Sequence, residues 1–227
     1  MTEPKLIPTS EELILIGMLG GPGAGKSSQC RLLAQVFEVE HVSVGDLLRA
    51  EMNREGSQHA AIIRGNMMEG TIGPKELTVG LLKSHIRQRA EQGMRVFIID
   101  GKYTHLTLFY STLTLQPGFP RNLLQLQHFE VEVGAFKWLI YLDCPEETLI
   151  QRLLPRGRFD DGVETIRGRL RTFRMITSEV IEYFQMVGRL KALNGDQTMA
   201  TVHEQLTGVV SEVAELRQTY ELVQKGL

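Results

Sequence analysis

The sequence predicts an α/β fold in which helices cover both faces of a doubly wound parallel sheet. Strand-like apolar runs occur at 13–19, 96–100 and 136–143, and a weaker one occurs at 189–194. Runs that are apolar on both faces are typical of strands buried inside a parallel sheet. The intervening segments have helical spacing, and strands that alternate with helices indicate βαβ units.

Composition predicts a single globular domain spanning 1–227. The 227 residues are 42% hydrophobic and 23% charged, which is ordinary for a globular protein with a sizeable core. A formal charge of −2 gives no overall basic field, so we expect no nucleic-acid partner. Neither the opening "MTEPKLIPTSEE" nor any other segment has an apolar run of membrane-spanning length, so we expect no membrane partner and a cytoplasmic location. Cys30 and Cys144 lie in apolar contexts and are expected to be buried free thiols.

The strongest local motif is "GGPGAGKS", which from Gly20 matches the phosphate-binding pattern G-x-x-x-x-G-K-[ST]. A predicted strand precedes it and a helical pattern follows it, which is the context that this phosphate-binding pattern requires. Glycines let successive backbone N–H groups point at phosphate oxygens, and the helix start adds its positive end. Lys26 would reach the β- and γ-phosphates, and the Ser27 hydroxyl would face Mg²⁺. The predicted ATP contacts here are Gly21, Gly23, Ala24, Gly25, Lys26, Ser27 and Ser28.

A second pattern, at 161–184, predicts a long helix that packs on the core. Asp161 and Glu164 have the spacing of a capping box. An apolar stripe follows on one helix face, formed by Ile166, Leu170, Phe173, Ile176, Val180 and Phe184.

Five further segments form an ordered series, and the order itself is the signal. They are "HVSVGDLLRAE" (41–51), "GTIGPKELTVGLLK" (70–83), "FIIDG" (97–101), "GFPRN" (118–122) and "RLLPRGRFDD" (152–161). Together with the phosphate loop, the series resembles the short-form nucleoside monophosphate kinases, that is, adenylate kinase and UMP-CMP kinase. The resemblance runs from about residue 13 to about residue 210.

This resemblance implies a five-stranded sheet and the reaction ATP + NMP ⇌ ADP + NDP with Mg²⁺. It also implies a monomer with a small monophosphate-binding lobe at about 43–73 and a short lid at about 155–162. Phosphoryl transfer between two anions needs positive charge in line with the transfer, and arginine supplies it as a planar donor fork. The catalytic set implied by the family is Lys26, Arg49, Asp100, Arg121, Arg156, Arg158 and Arg169.

On the donor side, the resemblance assigns Arg152 to the adenine, with Arg156 and Gln197 as further ATP contacts. Asp100, which ends a predicted strand, would hold Mg²⁺ through water together with Ser27. Asp143 ends the next strand and is a candidate to assist. Asp160 and Asp161 would fix the lid, in which "RGRFDD" runs straight through and leaves the separate roles of Arg156 and Arg158 open.

On the acceptor side, two residues indicate different bases. Gln125 matches the glutamine with which adenylate kinases read adenine, whereas Val44 lacks the hydroxyl that they commonly carry there and resembles the pyrimidine kinases. An amide on the base edge discriminates by hydrogen bonding, so AMP is the first prediction and UMP or CMP the alternative. The implied acceptor set is Val44, Arg49, Thr71, Ile72, Gly73, Gly118, Phe119, Pro120, Arg121, Gln125, Arg158 and Arg169.

Histidine catalysis is not predicted, and His41 is interpreted as structural. A GTPase is also disfavoured, because the sequence has no N-K-x-D guanine motif. Such a switch would also have no need of the five arginines at 49, 121, 156, 158 and 169.

Residues 102–118 interrupt the family motif D-G-[FY]-P-R. This 17-residue insert has no Lys, Arg, Asp or Glu between Tyr103 and Gln116, which is unusual for a solvated loop. It could be a real loop or a specialised binding element. Gly101-Lys102-Tyr103 can, however, be encoded by a splice-donor sequence and Gln116-Pro117-Gly118 by an acceptor, so we favour a translated intron. A further alternative function is an ATP-binding protein inactivated by the insert.

Overall fold

A five-stranded, all-parallel sheet forms the centre of the protein. The computed structural model describes residues 13–69, 75–100, 130–156 and 163–224. Its strands lie in the order β2-β3-β1-β4-β5, which confirms the predicted doubly wound α/β fold. The strands are β1 (Ile14–Gly20), β2 (Glu40–Ser43), β3 (Val96–Asp100), β4 (Phe136–Asp143) and β5 (Leu190–Asn194).

Helices connect the strands. In order they are α1 (Lys26–Val36), α2 (Val44–Asn53), α3 (Ala60–Glu69), α4 (Lys75–Glu91), α5 (Glu146–Leu153), α6 (Val163–Met186) and α7 (Met199–Gln224). A 3₁₀ turn, Leu154–Arg156, follows α5. Among these helices, none is long and apolar enough to span a membrane.

The core lies on both faces of the sheet. Along β1, Leu15 and Leu19 belong to a cluster that includes residues of α4, whereas Ile16 and Met18 belong to a cluster that includes residues of α1 and α7. Successive side chains of a strand point to opposite faces, so a strand that is apolar throughout fits only a sheet covered on both sides. Each fully buried side chain of this kind stabilises the fold by about 1.5–3 kcal/mol.

The strand order changes direction at β1, and this topological switch point positions the site. β1 pairs with β3 on one side, where Met18 lies opposite Asp100, and with β4 on the other, where Gly20 lies opposite Leu142. β2 adds Ser43 opposite Asp100. The carboxyl ends of these parallel strands therefore meet at one edge, where α/β sheets bind ligands.

Most predicted elements are present, with small shifts. The run predicted at 13–19 is a strand from Ile14 to Gly20, and α6 begins at Val163. The proposed capping residue Asp161 lies outside the described residues, as do positions 101–129, which include the insert, and 157–162 of the lid. In the predicted stripe of α6, five side chains are buried: Ile166, Leu170, Phe173, Val180 and Phe184.

Candidate active site

The β1–α1 loop is a tight backbone turn that needs glycine. Gly23 has φ +90° and Gly25 has φ +88°, in the left-handed region that L side chains rarely adopt. A Cβ at Gly23 would also lie 2.7 Å from the carbonyl oxygen of Leu149 in α5. The predicted phosphate loop therefore has both the conformation and the close packing that explain its glycines.

Lys26 is held inside this loop. Its side chain is 7% exposed, and Nζ donates hydrogen bonds to the carbonyl oxygens of Gly20 at 2.5 Å and Gly21 at 3.0 Å. Buried lysine is rare unless its charge is partnered. The loop thus keeps an ammonium group at the start of α1, where the helix end is also positive.

Asp100 lies at the last position of β3 and is 2% exposed. The Ser27 hydroxyl donates to its Oδ1 at 3.2 Å, and His41 Nε2 forms a hydrogen bond with Oδ2 at 2.5 Å. Side chains from α1, β2 and β3 therefore converge on one carboxylate. His41 does contact the predicted metal-binding residue, a role that we did not predict from the sequence.

The oxygen donors at this point fit Mg²⁺. Ser27 and Asp100 supply a hydroxyl and a carboxylate that line the same cleft, and Mg²⁺ prefers few protein oxygens together with waters and phosphates. These are the two residues that the sequence analysis assigned to the metal.

A cleft of about 560 Å³ opens above the phosphate loop. Ten predicted site residues line it: Gly23, Ala24, Gly25, Lys26, Ser27, Ser28, Arg49, Asp100, Arg152 and Gln197. Nine lining residues were not predicted: Pro22, Gln29, Arg31, Ser43, Gly45, Leu153, Gly195, Met199 and Val202.

Arg49 reaches the cleft from α2. The Ser43 hydroxyl caps this helix by accepting from the backbone N–H of Asp46 at 3.4 Å. The Arg49 guanidinium passes over Gly45, where a Cβ would lie 3.2 Å from Nη2, and donates to the Asp46 carboxylate. The helix start therefore orients the arginine toward the cleft.

Arg152 reaches the cleft from α5 on the other side. Its Nη1 donates to the carbonyl of Gly195 at 3.0 Å and its Nη2 donates to that of Gln197 at 3.3 Å. Arg152 is thus fixed against the loop that follows β5. A planar cation held in this way offers a flat face to an aromatic ring.

Gln29 is a buried residue that sequence reasoning missed. It is 1% exposed, donates from Nε2 to the carbonyl of Met199 at 2.8 Å, and pairs through Oε1 with His203 Nδ1 at 3.2 Å. These bonds join α1 to α7 along the cleft. The sequence did offer a signal for Gln29, because it is a polar residue on the inward face of a predicted helix.

The remaining predicted residues are not brought together by the described part of the chain. Gly21 lies in the loop without lining the cleft, and Val44 is 4% exposed within the core beside Ser43. The side chains of Arg156 and Arg169 are not described, although their backbone lies in the 3₁₀ turn and in α6. Outside the described residues lie Thr71, Ile72, Gly73, Gly118, Phe119, Pro120, Arg121, Gln125, Arg158, Asp160 and Asp161.

Asp143 does not line the cleft. Its carboxylate is exposed and accepts from the Tyr141 hydroxyl at 3.0 Å. Burial, and then Asp143 itself, raises the pKa of Tyr141, so the phenol remains a donor. The suggestion that Asp143 assists with the metal has no support in this geometry.

The fold and the site define a nucleotide-binding protein of the phosphate-loop class. A family model described as "AAA domain" matches residues 19–167, which include the loop, Asp100 and Arg152.

Comparison with curated proteins identifies the family within this class. The chain is 34% identical over 215 residues to "Uridylate kinase" of Saccharomyces cerevisiae, covering 93% of this chain and 96% of that protein. It is 35% identical over 207 residues to "UMP-CMP kinase" of Lentinula edodes, covering 89% and 87%. It is also 35% identical over 183 residues to "Adenylate kinase isoenzyme 1" of Caenorhabditis elegans, covering 79% of each. The chain belongs to the nucleoside monophosphate kinase family, as the ordered motifs predicted.

Proposed function

We propose that this protein transfers the terminal phosphoryl group of ATP to UMP or CMP, with AMP as a poorer acceptor. The main support for phosphoryl transfer is that Lys26, Arg49, Asp100 and Arg152 all line one cleft. The choice of a pyrimidine reverses the order given in the sequence analysis, where Gln125 favoured AMP. Monomeric state and cytoplasmic location stay predictions.

We assign each of these residues a role that its position supports. Lys26 would exchange its bonds to the Gly20 and Gly21 carbonyls for bonds to phosphate oxygens. Arg49 would hold the acceptor phosphate, and Arg152 would pack on the donor base from the opposite wall. Mg²⁺ bound with ATP would neutralise charge on the phosphates, and Ser27 and Asp100 would hold it, the latter through water.

Two observations support a pyrimidine acceptor. Val44 offers no hydroxyl at the start of α2, where adenylate kinases commonly carry threonine, although its side chain is 4% exposed within the core and does not line the cleft. Relatives from Saccharomyces cerevisiae, Lentinula edodes and Arabidopsis thaliana carry the names uridylate kinase or UMP-CMP kinase, whereas one from Caenorhabditis elegans is named adenylate kinase. Gln125 and the adenylate kinase relative argue for AMP.

A three-acceptor assay tests this proposal. The full chain is given Mg·ATP and, in separate reactions, UMP, CMP or AMP, and NDP formation is measured. We expect kcat/KM for UMP or CMP to exceed that for AMP by at least about tenfold, the discrimination that a few misplaced polar contacts produce. A higher value for AMP would overturn the pyrimidine assignment, and transfer that survives Lys26→Ala would overturn the assigned phosphate site.

A matched pair of valine substitutions tests the base preference separately. Val44→Thr adds a hydroxyl within the predicted acceptor lobe, and we expect it to raise relative use of AMP. Val79→Thr, in α4, is the control because Val79 is 5% exposed in the same core cluster and so has a similar cost of burying a hydroxyl. Equal acceptor ratios in the two variants would exclude Val44 as a determinant.

A further inference from the structure

Three side chains that can ligate a metal meet beneath the phosphate loop. Cys30 comes from α1, His41 from β2 and Asp100 from β3. One ligand atom from each, the cysteine Sγ, an imidazole nitrogen and a carboxylate oxygen, lies within 4.8 Å of the other two. Of these three residues, the proposed function assigns a role only to Asp100, and it assigns none to the Cys30 thiol.

This cluster is almost fully buried and adjoins the cleft. Cys30 is 0% exposed, His41 is 11% exposed and Asp100 is 2% exposed. Asp100 lines the cleft, so a small cation can approach the cluster from that side. Donors from one helix and two strands are held in place by the packed fold itself, which favours binding over a loop cluster of the same composition.

We propose that Cys30, His41 and Asp100 bind one thiophilic divalent cation, such as Zn²⁺ or Cd²⁺. A tetrahedral zinc ion with ordinary bond lengths separates its nitrogen, oxygen and sulfur ligands by about 3.3–3.6 Å. The hydrogen bond between His41 Nε2 and Asp100 Oδ2, now 2.5 Å long, has to open by about 1 Å to admit the ion. Water from the cleft supplies the fourth ligand.

The donor set selects against Mg²⁺. A thiolate and an imidazole suit Zn²⁺ and Cd²⁺, whereas Mg²⁺ prefers oxygen ligands and keeps its waters. Binding displaces the Cys30 proton to solvent, and thiolate and carboxylate together then balance the charge of the divalent ion. Lys26 lies near enough to Cys30 to interact with it electrostatically and opposes the ion, but its Nζ is held by the carbonyls of Gly20 and Gly21.

The site shares Asp100 with the phosphoryl-transfer site. If Asp100 holds Mg²⁺ as in the proposed function, on which this step rests, a thiophilic ion removes that ligand and inhibits transfer. Cys30 is then the residue that makes the enzyme sensitive, although it touches neither nucleotide in the proposed arrangement.

Binding is tested without reference to activity. The full chain, kept reduced without chelating thiols, is titrated with Cd²⁺ while the ultraviolet thiolate-to-metal charge-transfer band is recorded. We expect a band that saturates at one equivalent, is lost in Cys30→Ala and is kept in Cys144→Ala, the control for the other thiol. Absence of the band in the unsubstituted protein, or its full retention in Cys30→Ala, would refute the site.

Two measurements guard against misfolding of Cys30→Ala. The Co²⁺ spectrum of the unsubstituted protein shows thiolate and tetrahedral bands if the assigned ligands bind, and an octahedral spectrum contradicts the proposal. His41→Gln retains the thiol, so the Cd²⁺ band should persist with affinity at least about tenfold weaker. Unchanged affinity would remove His41 from the site.

Inhibition is then measured with Mg·ATP and the preferred acceptor. Cys30→Ala should tolerate at least about tenfold more Cd²⁺ than the unsubstituted enzyme. A charge-transfer band without inhibition would show that the ion does not take Asp100. Should no acceptor be phosphorylated under any condition, the proposed function fails, while the band still decides the metal site.

Discussion

The Ser27 hydroxyl donates a 3.2 Å hydrogen bond to Asp100 Oδ1, although 73 residues separate the two in the sequence. The bond links the start of α1 to the end of β3. It exists because β1 and β3 are neighbours with Met18 opposite Asp100, so that the loop leaving β1 passes over the adjacent strand end. The phosphate loop and the acidic strand end are thereby fixed as one unit.

His41 should matter to transfer through this unit. The imidazole engages Oδ2 of Asp100 and leaves Oδ1 to face Ser27, so its removal frees the carboxylate to rotate. We expect His41→Ala to lower kcat/KM for Mg·ATP by about 10–100-fold, the usual effect of losing a partner behind a metal ligand, which is the role proposed for Asp100. His41→Gln, which keeps a polar side chain near the carboxylate, should recover part of the loss.

The control for this prediction is His59→Ala, because the His59 side chain is exposed. Its kinetics should match those of the unsubstituted protein. If His41→Ala stays within twofold of that value, His41 is only a packing residue.

Arg152 should act on the donor alone. Its guanidinium is tied to the Gly195 and Gln197 carbonyls on one wall of the cleft. A cation stacked on an aromatic ring contributes about 0.5–2 kcal/mol, so we expect Arg152→Ala to raise KM for ATP by about 2–30-fold while KM for the acceptor changes little. Arg87→Ala is the control, since Arg87 is an exposed α4 residue paired with Glu91. An equal rise in both Michaelis constants would argue that Arg152 does not distinguish donor from acceptor.

The strands that the sequence revealed most clearly are those whose residues are apolar on both faces. β3 is buried at all five positions, and so its run stands out. β2 was not located, because only Val42 of its four residues is buried and so short a stretch has no readable period. Patterning therefore revealed a strand clearly where burial was two-sided. It revealed β5, none of whose residues is buried, only weakly, and it missed β2.

The site residues also fall into two groups, those that a local motif predicts and those that only the folded structure reveals. Lys26 and Ser27 belong to one contiguous motif whose residue types are fixed by phosphate chemistry, so local reading finds them. The contacts of His41 with Asp100 and of Gln29 with Met199 span 59 and 170 residues. Such contacts depend on strand order and helix packing, which no local spacing encodes. The resemblance to a family supplied strand-end and arginine roles that spacing alone left open.

Gly23 should be intolerant of any side chain. Its φ of +90° and the 2.7 Å that would separate a Cβ from the Leu149 carbonyl oxygen oppose alanine independently. We expect Gly23→Ala to cost at least about 2 kcal/mol, or about 4–8 °C in Tm for a chain of this size, and to weaken ATP binding as the loop shifts.

Gly80→Ala is the matched control. Gly80 is exposed within α4 and a Cβ there meets nothing within 4 Å, so alanine should stabilise the helix by about 0.5–1 kcal/mol. Thermal unfolding of the two variants should therefore shift in opposite directions. A Gly23→Ala protein with unchanged Tm would contradict the strain argument.

Glu51 should make stability depend on acid pH. Hydrogen bonds from Arg54, at 2.8 Å to each carboxylate oxygen, and from Ser57, at 2.8 Å, lower the pKa of Glu51 from 4.5 to about 2. A lowered folded-state pKa gives stability that is fully present above about pH 4.5 and is lost as pH falls toward about 2. Denaturant unfolding at a series of pH values should therefore show the advantage of the unsubstituted protein over Glu51→Gln shrinking between about pH 5 and about pH 2.

The comparison for Glu51 is Glu91→Gln, which removes an exposed pair with Arg87 on α4. Exposed pairs contribute little, so this variant should track the unsubstituted protein across the range. A constant difference for Glu51→Gln at all pH values would mean that the loss comes from packing rather than from the carboxylate charge.

Deleting residues 102–118 should raise phosphoryl transfer at least about tenfold. Asp100 ends β3 in the cleft, and the deletion restores an uninterrupted "IIDGFPRN", which brings Arg121 back within a few residues of that carboxylate. Small displacements of a phosphate-binding group can cost about a hundredfold in rate, whereas closing a longer loop costs little stability. The effect should therefore appear in kcat rather than in Tm.

A control chain in which 103–117 are replaced by a Gly/Ser linker of equal length separates the effect of the insert's length from that of its composition. Equal rates with and without the insert would show that the loop is tolerated, and a native peptide from 103–117 would refute a translated intron. ATP binding without transfer in the full chain, together with transfer in the deletion variant, would identify the insert itself as the inactivating element.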